Sequence, residues 1–366
     1  MLTLALIFGG RSAEHEISLS SAQAVLRALD PAKYHVMPVG ITRAGVWVRP
    51  LDVEAALRDG LEASPSEPVA LLPDPSRRGL LVGDAGEIVP LDFAFPILHG
   101  PFGEDGTIQG LFELADLPYA GAGVVGSAVG MDKDLMKAAF ASAGLPQPAY
   151  LVLRSGGGDA AVAAVEETFR YPVFVKPANM GSSVGISKAH DRDELLRALE
   201  LALLYDRKVI VEEFVDAREI ECGVIGNDDP QVSVPGEVLP ANEFYDFESK
   251  YTDGMMAFAI PAPIDARRQA ELQDLAAAAF LALDCAGFAR CDFFLERATG
   301  RLLLNEINTI PGMTAMSGFP KFWEATGVPY PQLVDRIVDL GLERHAARAR
   351  LVTSREIRPV GGSASD

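Results

Sequence analysis

The hydrophobic and polar positions of the first 125 residues follow two patterns, apolar runs typical of strands and a spacing typical of helices. An apolar run over residues 2–8, followed by two glycines, is typical of a buried parallel strand and a tight turn. Further strand-like runs occur at 36–41 and 93–98. After the first strand, four apolar residues recur at helical spacing: Ala22, Val25, Leu26 and Leu29. We expect Ser18 to cap this helix, since a serine hydroxyl can accept from a free amide of the first turn.

A short helix predicted at 111–117 continues this alternation of strands and helices. The pattern predicts a doubly wound α/β domain over residues 1–125. Residues 57–86 carry many Pro, Ser and Gly residues, so we expect them to form an irregular insertion in that domain.

The remainder of the chain divides into residues 126–214, residues 215–350 and a flexible tail at 351–366. The middle part has the following predicted elements: a helix at 132–143, a strand at 173–175, a helix at 194–204 and a strand at 209–213. The third part has a polar loop at 242–254, a helix at 269–283 and a hairpin at 288–308.

The charge balance narrows the class of partner. The 366 residues include 32 Lys and Arg against 51 Asp and Glu, a net charge of −19. This argues against a chain that coats nucleic acid or an anionic membrane. The three cysteines have no C-x-x-C spacing, and no apolar run reaches the roughly 18 residues of a membrane helix. The first residues resemble a strand and not a signal peptide, so we expect a soluble, cytoplasmic protein.

A lysine at the end of an apolar strand indicates an anion site. Lys176 ends the run Val173-Phe-Val, and Gly181, Ser182 and Ser183 follow in a glycine-rich turn. A lysine at a buried strand end is costly unless an anion pairs with it, and such a turn offers backbone amides to phosphate. The alternative is a lysine that extends to solvent beside a flexible loop.

The hairpin places acidic residues opposite one another. If its turn centres near Thr299, Asp292 lies opposite Glu306 and Arg290 lies opposite Asn308. Facing carboxylates repel unless a cation lies between them, and oxygen ligands suit Mg²⁺ held together with substrate phosphates. The alternative is a solvated hairpin face with an arginine–carboxylate pair.

Four loops carry weaker signals, each with an ordinary structural alternative. Glu14 follows the first strand, where it could bind an ammonium group or favour a helix N-terminus. Gly312 lies in a Pro-Gly turn that could present its amide to an oxyanion. The aromatic segment 244–251 is either a lid or an anchored loop. Residues 121–126 match G-x-G-x-x-G, but no acid follows about 20 residues later, which favours a glycine-rich junction over a dinucleotide site.

Together, the segments from 9–16 through 305–314 occur in the order found in the D-alanine–D-alanine ligases of the ATP-grasp superfamily, which this chain resembles over nearly its whole length. The resemblance implies an N-terminal α/β domain followed by a two-lobed ATP-grasp fold that holds ATP between its lobes. It also implies a homodimer that joins two D-alanines through an acyl phosphate, releasing ADP and phosphate, for peptidoglycan synthesis.

The resemblance also implies roles for individual residues. Those expected to bind ATP are Lys133, Lys176, Gly181, Ser182, Ser183, Glu212, Glu213, Glu219 and Lys250. Those expected to bind D-alanine are Glu14, His99, Lys250, Tyr251, Ser317 and Gly318. Catalytic roles fall on Glu14, Ser182, Tyr251, Arg290 and Gly312. Asp292, Glu306 and Asn308 would hold two Mg²⁺ ions, with Mn²⁺ as a substitute.

Two positions depart from the pattern of this family. Glu213 stands where some relatives have Lys, and Gly318 stands where a larger apolar residue can line the second site, which predicts a wider pocket. Tyr251 favours a D-alanine acceptor over D-lactate, whereas D-serine is separated less sharply. The competing hypotheses are an ATP-grasp ligase with another acceptor, a nicotinamide oxidoreductase based on 121–126, and a non-enzymatic binding module of two α/β lobes.

Overall fold

The computed structural model describes residues 1–154, 158–181, 184–240 and 256–352. Three β-sheets follow one another along the chain, and helices cover them. The mixed α/β architecture agrees with the predicted fold class.

The first sheet has seven strands, in the order β6-β5-β4-β3-β2-β1-β7. These are β1 (Leu2–Gly9), β2 (Tyr34–Ile41), β3 (Trp47–Pro50), β4 (Ser66–Leu71), β5 (Gly79–Val82), β6 (Glu87–Pro90) and β7 (Phe93–Ile97). Strand β1 is parallel to β2 and β7, whereas β3 to β6 extend the sheet in antiparallel pairs. The helices of this part are α1 (His15–Ala28), α2 (Val53–Asp59), α3 (Thr107–Leu114) and α4 (Val124–Met131).

Three local predictions for this part were wrong. Residues 57–86 are not irregular, because they contain β4, β5 and two short 3₁₀ turns, Leu61–Ala63 and Pro75–Arg77. Helix α3 begins at Thr107, four residues before the predicted start. Ser18 is not an N-cap: α1 begins at His15, and the Ser18 hydroxyl donates to the Ile97 carbonyl and accepts from the Gly9 amide. Those two bonds join α1 to β1 and β7.

The second sheet is antiparallel, in the order β10-β9-β11-β8. Its strands are β8 (Tyr150–Leu153), β9 (Val173–Pro177), β10 (Ser187–Ala189) and β11 (Val209–Glu213). Helices α6 (Asp159–Thr168) and α7 (Arg192–Tyr205) bury one face of it with apolar side chains. Helix α5 (Lys133–Ser142) precedes this sheet and is capped by Asp132, whose side chain accepts from two amides of the first turn.

The third sheet is also antiparallel, in the order β15-β14-β12-β16-β17, with β13 paired to β12. Its strands are β12 (Ala217–Gly226), β13 (Gln231–Val232), β14 (Gly236–Pro240), β15 (Met256–Ala259), β16 (Gly287–Glu296) and β17 (Leu302–Asn308). Helix α8 (Ala266–Ala282) packs with α5 on its inner face. Helices α9 (Gly318–Ala325) and α10 (Tyr330–Arg348) return to a core shared with the first sheet.

The glycine-rich segment 121–126 forms a close junction between parts of the chain. A Cβ at Gly126 would lie 2.7 Å from the Asp284 carbonyl oxygen, and one at Gly287 would lie 2.9 Å from the Gly121 nitrogen. Close backbone packing therefore accounts for these glycines, which supports the junction interpretation.

Candidate active site

A cleft of about 470 Å³ lies between the second and third sheets. One wall comes from β9 and β11, the other from β12, β14, β16 and β17, and residues 213–217 connect the two. Among the predicted site residues, those that line this cleft are Lys133, Lys176, Gly181, Glu212, Glu213, Glu219, Asp292, Glu306 and Asn308. The four candidates Ser182, Ser183, Lys250 and Tyr251 lie outside the described residues.

The wall formed by β9 and β11 is charged because the two strands alternate strictly. Their odd-numbered valines enter the core under α6 and α7, which leaves Lys176 and Glu212 facing the cleft. The Lys176 ammonium lies 2.6 Å from Oε2 of Glu212, and the Lys137 ammonium lies 2.9 Å from Oε1. Lys176 is therefore a buried ion-pair partner and does not extend to solvent.

The charges in this cluster shift one another's protonation. Burial raises the pKa of Glu212, but the two lysines outweigh it and bring that pKa down to about 2. Burial lowers the pKa of Lys137 despite the nearby Glu212 carboxylate. Burial opposes the charged form of Lys176 as well, yet Glu212 and Glu306 raise its pKa above the ordinary value. The wall thus presents a fixed positive charge at Lys176.

Lys133 connects the two walls. Its ammonium donates to the Met180 carbonyl at 2.8 Å and lies 3.8 Å from Oε2 of Glu306. Met180 and Gly181 begin the predicted phosphate turn. Lys133 therefore stands between that turn and the acidic hairpin.

The predicted register of the hairpin is confirmed at its chemically important end. Asp292 pairs with Glu306 and Arg290 with Asn308, and a bulge then shifts the register between Asp292 and Phe293. The guanidinium of Arg290 forms two hydrogen bonds with Asp292, at 2.7 and 2.6 Å. The arginine–carboxylate pair of the alternative interpretation is thus present, but both side chains are largely buried and Asp292 lines the cleft.

This end of the hairpin offers oxygen atoms suited to a hard cation. The donor set is two carboxylates and the amide of Asn308, which also donates to Oδ2 of Asp292 at 3.0 Å. Within residues 1–154, 158–181, 184–240 and 256–352, no three His, Cys, Asp or Glu side chains cluster as a ready metal site. The donors therefore fit Mg²⁺ only if phosphate oxygens complete its coordination, as Mg²⁺ commonly requires.

Glu14 lies where three segments meet. A Cβ on Gly100 would lie 2.6 Å from Oε2 of Glu14, and one on Gly181 would lie 3.1 Å from the same oxygen. The buried carboxylate thus touches the backbone of the loop after β7 and the start of the phosphate turn. Burial lowers the pKa of the nearby His99, and the Glu14 charge opposes that shift.

The loop after β17 brings the last candidates together. A Cβ on Gly312 would lie 2.8 Å from Oγ of Ser317, so the backbone there passes close to that hydroxyl. At Gly318, a Cβ would lie 2.6 Å from the Phe322 ring and 2.9 Å from the Phe258 ring. These rings occupy the space that the missing side chain leaves, so the expected wider pocket is not found at this position.

Sequence reasoning missed four residues at the site. Lys137 lies four positions after Lys133 on the core-facing side of α5. A lysine at a core-facing helix position could have been recognised from the sequence. Glu221 lies on the face of β12 opposite its core residues, 3.3 Å from the Arg290 guanidinium. Asn305 occupies the bulge and accepts from Lys176 at 3.4 Å. Glu104 is partly buried in the loop after β7 and gave no signal beyond its position.

Two family descriptions match most of the chain: "D-ala D-ala ligase N-terminus" over residues 3–122 and "D-ala D-ala ligase C-terminus" over residues 139–339. A D-alanine–D-alanine ligase of Heliobacterium modesticaldum is 50% identical over 359 residues, which cover 96% of this chain and 98% of the relative. The chain belongs to the D-Ala-D-Ala ligase family, a family of ATP-dependent ligases, and the resemblance inferred from its motifs is confirmed.

Solved structures agree with this assignment. The VanG D-Ala:D-Ser ligase from Enterococcus faecalis has a TM-score of 0.85 and 37% identity, and covers 93% of this chain and 99% of its own. The D-alanine-D-alanine ligase from Coxiella burnetii has a TM-score of 0.82 and 34% identity, with coverage of 96% and 98%. In the described part of the chain, no helix has the length and apolar character needed to cross a bilayer.

Proposed function

We propose that this chain uses ATP to join two D-alanines into D-alanyl-D-alanine, releasing ADP and phosphate, for cell-wall synthesis. The carrying observation is the charge arrangement of the cleft of about 470 Å³, which is lined by Lys133 and Lys176 together with Asp292 and Glu306, with the Lys133 ammonium 3.8 Å from Oε2 of Glu306. A nicotinamide enzyme or a passive binding module would not require these two opposed sets of charges. Family membership gives the substrates, because the relatives are named for this ligation.

The chemistry begins with a poor electrophile, the carboxylate of the first D-alanine. An oxygen of that carboxylate attacks the γ-phosphorus of ATP, the bond to ADP breaks, and an acyl phosphate forms. Repulsion between the two anions opposes this step, and the ammonium groups of Lys133 and Lys176 offset it. Glu14 holds the ammonium group of the same D-alanine and so fixes the direction of attack.

The second step forms the peptide bond. The neutral amine of the second D-alanine attacks the acyl carbon and a tetrahedral oxyanion develops. Phosphate then leaves with the bonding electron pair and takes up the proton that the attacking nitrogen loses. The guanidinium of Arg290 and the amide of Gly312 stabilise that oxyanion, and Ser317 binds the carboxylate of the second D-alanine. Arg290 is preorganised for this role by Glu221 and Asp292.

We assign Mg²⁺ binding to Asp292, Glu306 and Asn308, with ATP phosphates as the remaining ligands and Mn²⁺ as a substitute. When bound, such ions would neutralise phosphate charge during the transfer.

Glu212, Glu213 and Glu219 are assigned to adenine and ribose, because they lie at the strand ends that flank the connection 213–217. Roles for Ser182, Ser183, Lys250 and Tyr251 in phosphate binding and lid closure stay predictions. A homodimer rests on the resemblance alone and is tested by sedimentation equilibrium.

A second candidate function is the use of D-serine as the acceptor. The observation in its favour is the likeness to a D-Ala:D-Ser ligase at a TM-score of 0.85. Both functions share the nucleotide site and the first step, so they differ only in the pocket that binds the attacking amine.

The test measures phosphate release from Mg-ATP with D-alanine, L-alanine, D-serine and D-lactate, and identifies products by mass. Turnover with D-alanine alone, giving the dipeptide, supports the proposal. If turnover requires D-serine or D-lactate together with D-alanine, that second compound is the acceptor and the D-alanine acceptor assignment is wrong. Folded protein that binds Mg-ATP but shows no D-alanine-dependent release overturns the ligase assignment.

A further inference from the structure

The loop after β17 is anchored on the first part of the chain at Ile310. The Ile310 amide donates to Oε1 of Glu104 at 3.2 Å, and its carbonyl lies 3.0 Å from Nδ1 of His99. Glu104 also accepts from the Gly100 amide at 2.6 Å. Both backbone groups of one residue are therefore fixed by side chains from another part of the fold, the buried His99 and the partly buried Glu104.

A second anchor lies three residues later, at Met313. Its amide donates to Oγ of Ser21 at 3.3 Å, and its carbonyl accepts from the Tyr330 hydroxyl at 2.7 Å. Pro311 and Gly312 lie between the two anchored residues. Any shift of either anchor would therefore move the Gly312 amide.

Ser21 joins the two anchors. Its Oγ lies 3.3 Å from Nε2 of His99, in a fully buried position on α1. Because a carbonyl oxygen only accepts, the contact with Ile310 requires the proton of a neutral His99 on Nδ1. Nε2 is then an acceptor for the Ser21 hydroxyl, whose oxygen accepts from Met313. Burial lowers the pKa of His99, which agrees with a neutral ring.

We propose that Ser21 is a positioning residue for the reaction, one that fixes the Gly312 amide where the oxyanion develops by joining His99 to the backbone of Met313. This inference rests on the proposed function. A serine on the buried face of the first helix would thus act through the loop, without touching substrate. Its hydroxyl contacts both the His99 ring and the amide of Met313, the residue that follows Gly312.

The test compares Ser21→Ala with two serines of the same helix. Ser20 is exposed, so Ser20→Ala controls for the helix itself. Ser18 is buried but bonds to Gly9 and Ile97, so Ser18→Ala controls for the loss of a buried hydroxyl outside the loop. We expect Ser21→Ala to lower kcat by about ten- to hundredfold, since small misplacements at a reacting centre have such effects, with the KM for ATP unchanged. Ser21→Thr, which keeps the hydroxyl, should recover part of the rate.

Hydrogen exchange of residues 308–316 provides a readout that does not depend on activity. Ser21→Ala should accelerate exchange in that segment, whereas Ser18→Ala should not. A wild-type kcat in Ser21→Ala, or an equal kcat loss in Ser18→Ala, overturns the proposal. Wild-type protein without D-alanine-dependent turnover instead overturns the proposed function and any role of Ser21 in that reaction, while exchange still decides whether Ser21 holds the loop.

Discussion

The ammonium of Lys176 on β9 and the carboxylate of Glu212 on β11 form a buried ion pair, with Nζ 2.6 Å from Oε2. The second oxygen of Glu212 faces Lys137 at 2.9 Å, so one carboxylate contacts two lysines. Removing one member of a buried pair leaves an uncompensated charge, which commonly costs more than the pair itself contributes.

We therefore expect Glu212→Gln to lower the free energy of unfolding by about 3–5 kcal/mol near neutral pH, measured by urea denaturation. Glu213→Gln is the matched control, because Glu213 accepts from the Ala149 amide at 2.8 Å and an amide oxygen can accept that bond too. Equal stability losses in the two variants would contradict the assigned importance of the lysine contacts.

The same pair predicts a pH dependence of stability. The folded-state pKa of Glu212 is about 2, below the ordinary value of 4.5. A depressed carboxyl pKa contributes stability that is present above the unfolded-state pKa and is lost as the pH falls through the folded-state pKa. The stability difference between the wild type and Glu212→Gln should therefore narrow below pH 4.5 and keep narrowing towards pH 2. A difference that stays constant over this window would argue that the contacts of Glu212 are not ionic.

Sequence patterns predicted the parts of the site that depend on local periodicity. That Asp292 and Glu306 lie on one end of the hairpin follows from a period of two and the position of one turn, so it could be read from the chain. Their direct pairing also requires the bulge at Asn305, because the register continued from the Leu295–Leu302 pair would place Asn305 opposite Asp292. The bulge could not be read, because it depends on packing across β16 and β17. The position of Lys137 on the core-facing side of α5 could be read, but its pairing with Glu212 could not, because the two residues are distant in sequence.

The wrong predictions also arise because local sequence patterns do not show contacts between distant parts of the fold. Ser18 has the chemistry of an N-cap, but its hydroxyl is satisfied by two strands, and only the tertiary fold reveals them. The strands within residues 57–86 are short and contain Pro68, features that local patterns attribute to loops. Pairing with β3 extends the sheet there regardless of those features.

Gly100 and Gly60 give a matched test of how Glu14 is positioned. Both glycines have a positive φ, +76° and +96°, so alanine is strained at either site by about 1–3 kcal/mol. A Cβ at Gly60 meets nothing within 4 Å, whereas one at Gly100 lies 2.6 Å from Oε2 of Glu14. Gly100→Ala should therefore also lower kcat/KM for D-alanine, by about ten- to hundredfold, while Gly60→Ala affects stability alone. Similar kcat/KM values in the two variants would remove Glu14 from the ammonium site.

Gly318 and Phe258 predict an energetic coupling. A side chain on Gly318 would overlap the rings of Phe322 and Phe258, which lie edge to face at a centroid distance of 5.3 Å. Gly318→Leu should lower the free energy of unfolding by about 1–3 kcal/mol, as overpacking does. In a double-mutant cycle, Phe258→Ala should relieve part of this cost, because the leucine then occupies the vacated ring space. Additive effects would indicate that the loop moves away instead.

Asp292 separates a metal-binding role from an arginine-orienting role. Asp292→Asn keeps the shape but removes the charge that binds Arg290 and would bind Mg²⁺. We expect phosphate release to fall by about 10²–10³-fold, the loss usual for a group that stabilises a transition state. Asp229→Asn, on an exposed loop, is the control and should retain full activity.

The assay is repeated over a range of Mg²⁺ concentrations. If Asp292 is a metal ligand, its variant needs more Mg²⁺ and high concentrations recover part of the rate, because mass action offsets weaker binding. If Asp292 only orients Arg290, the loss will be the same at every Mg²⁺ concentration, and the metal assignment fails.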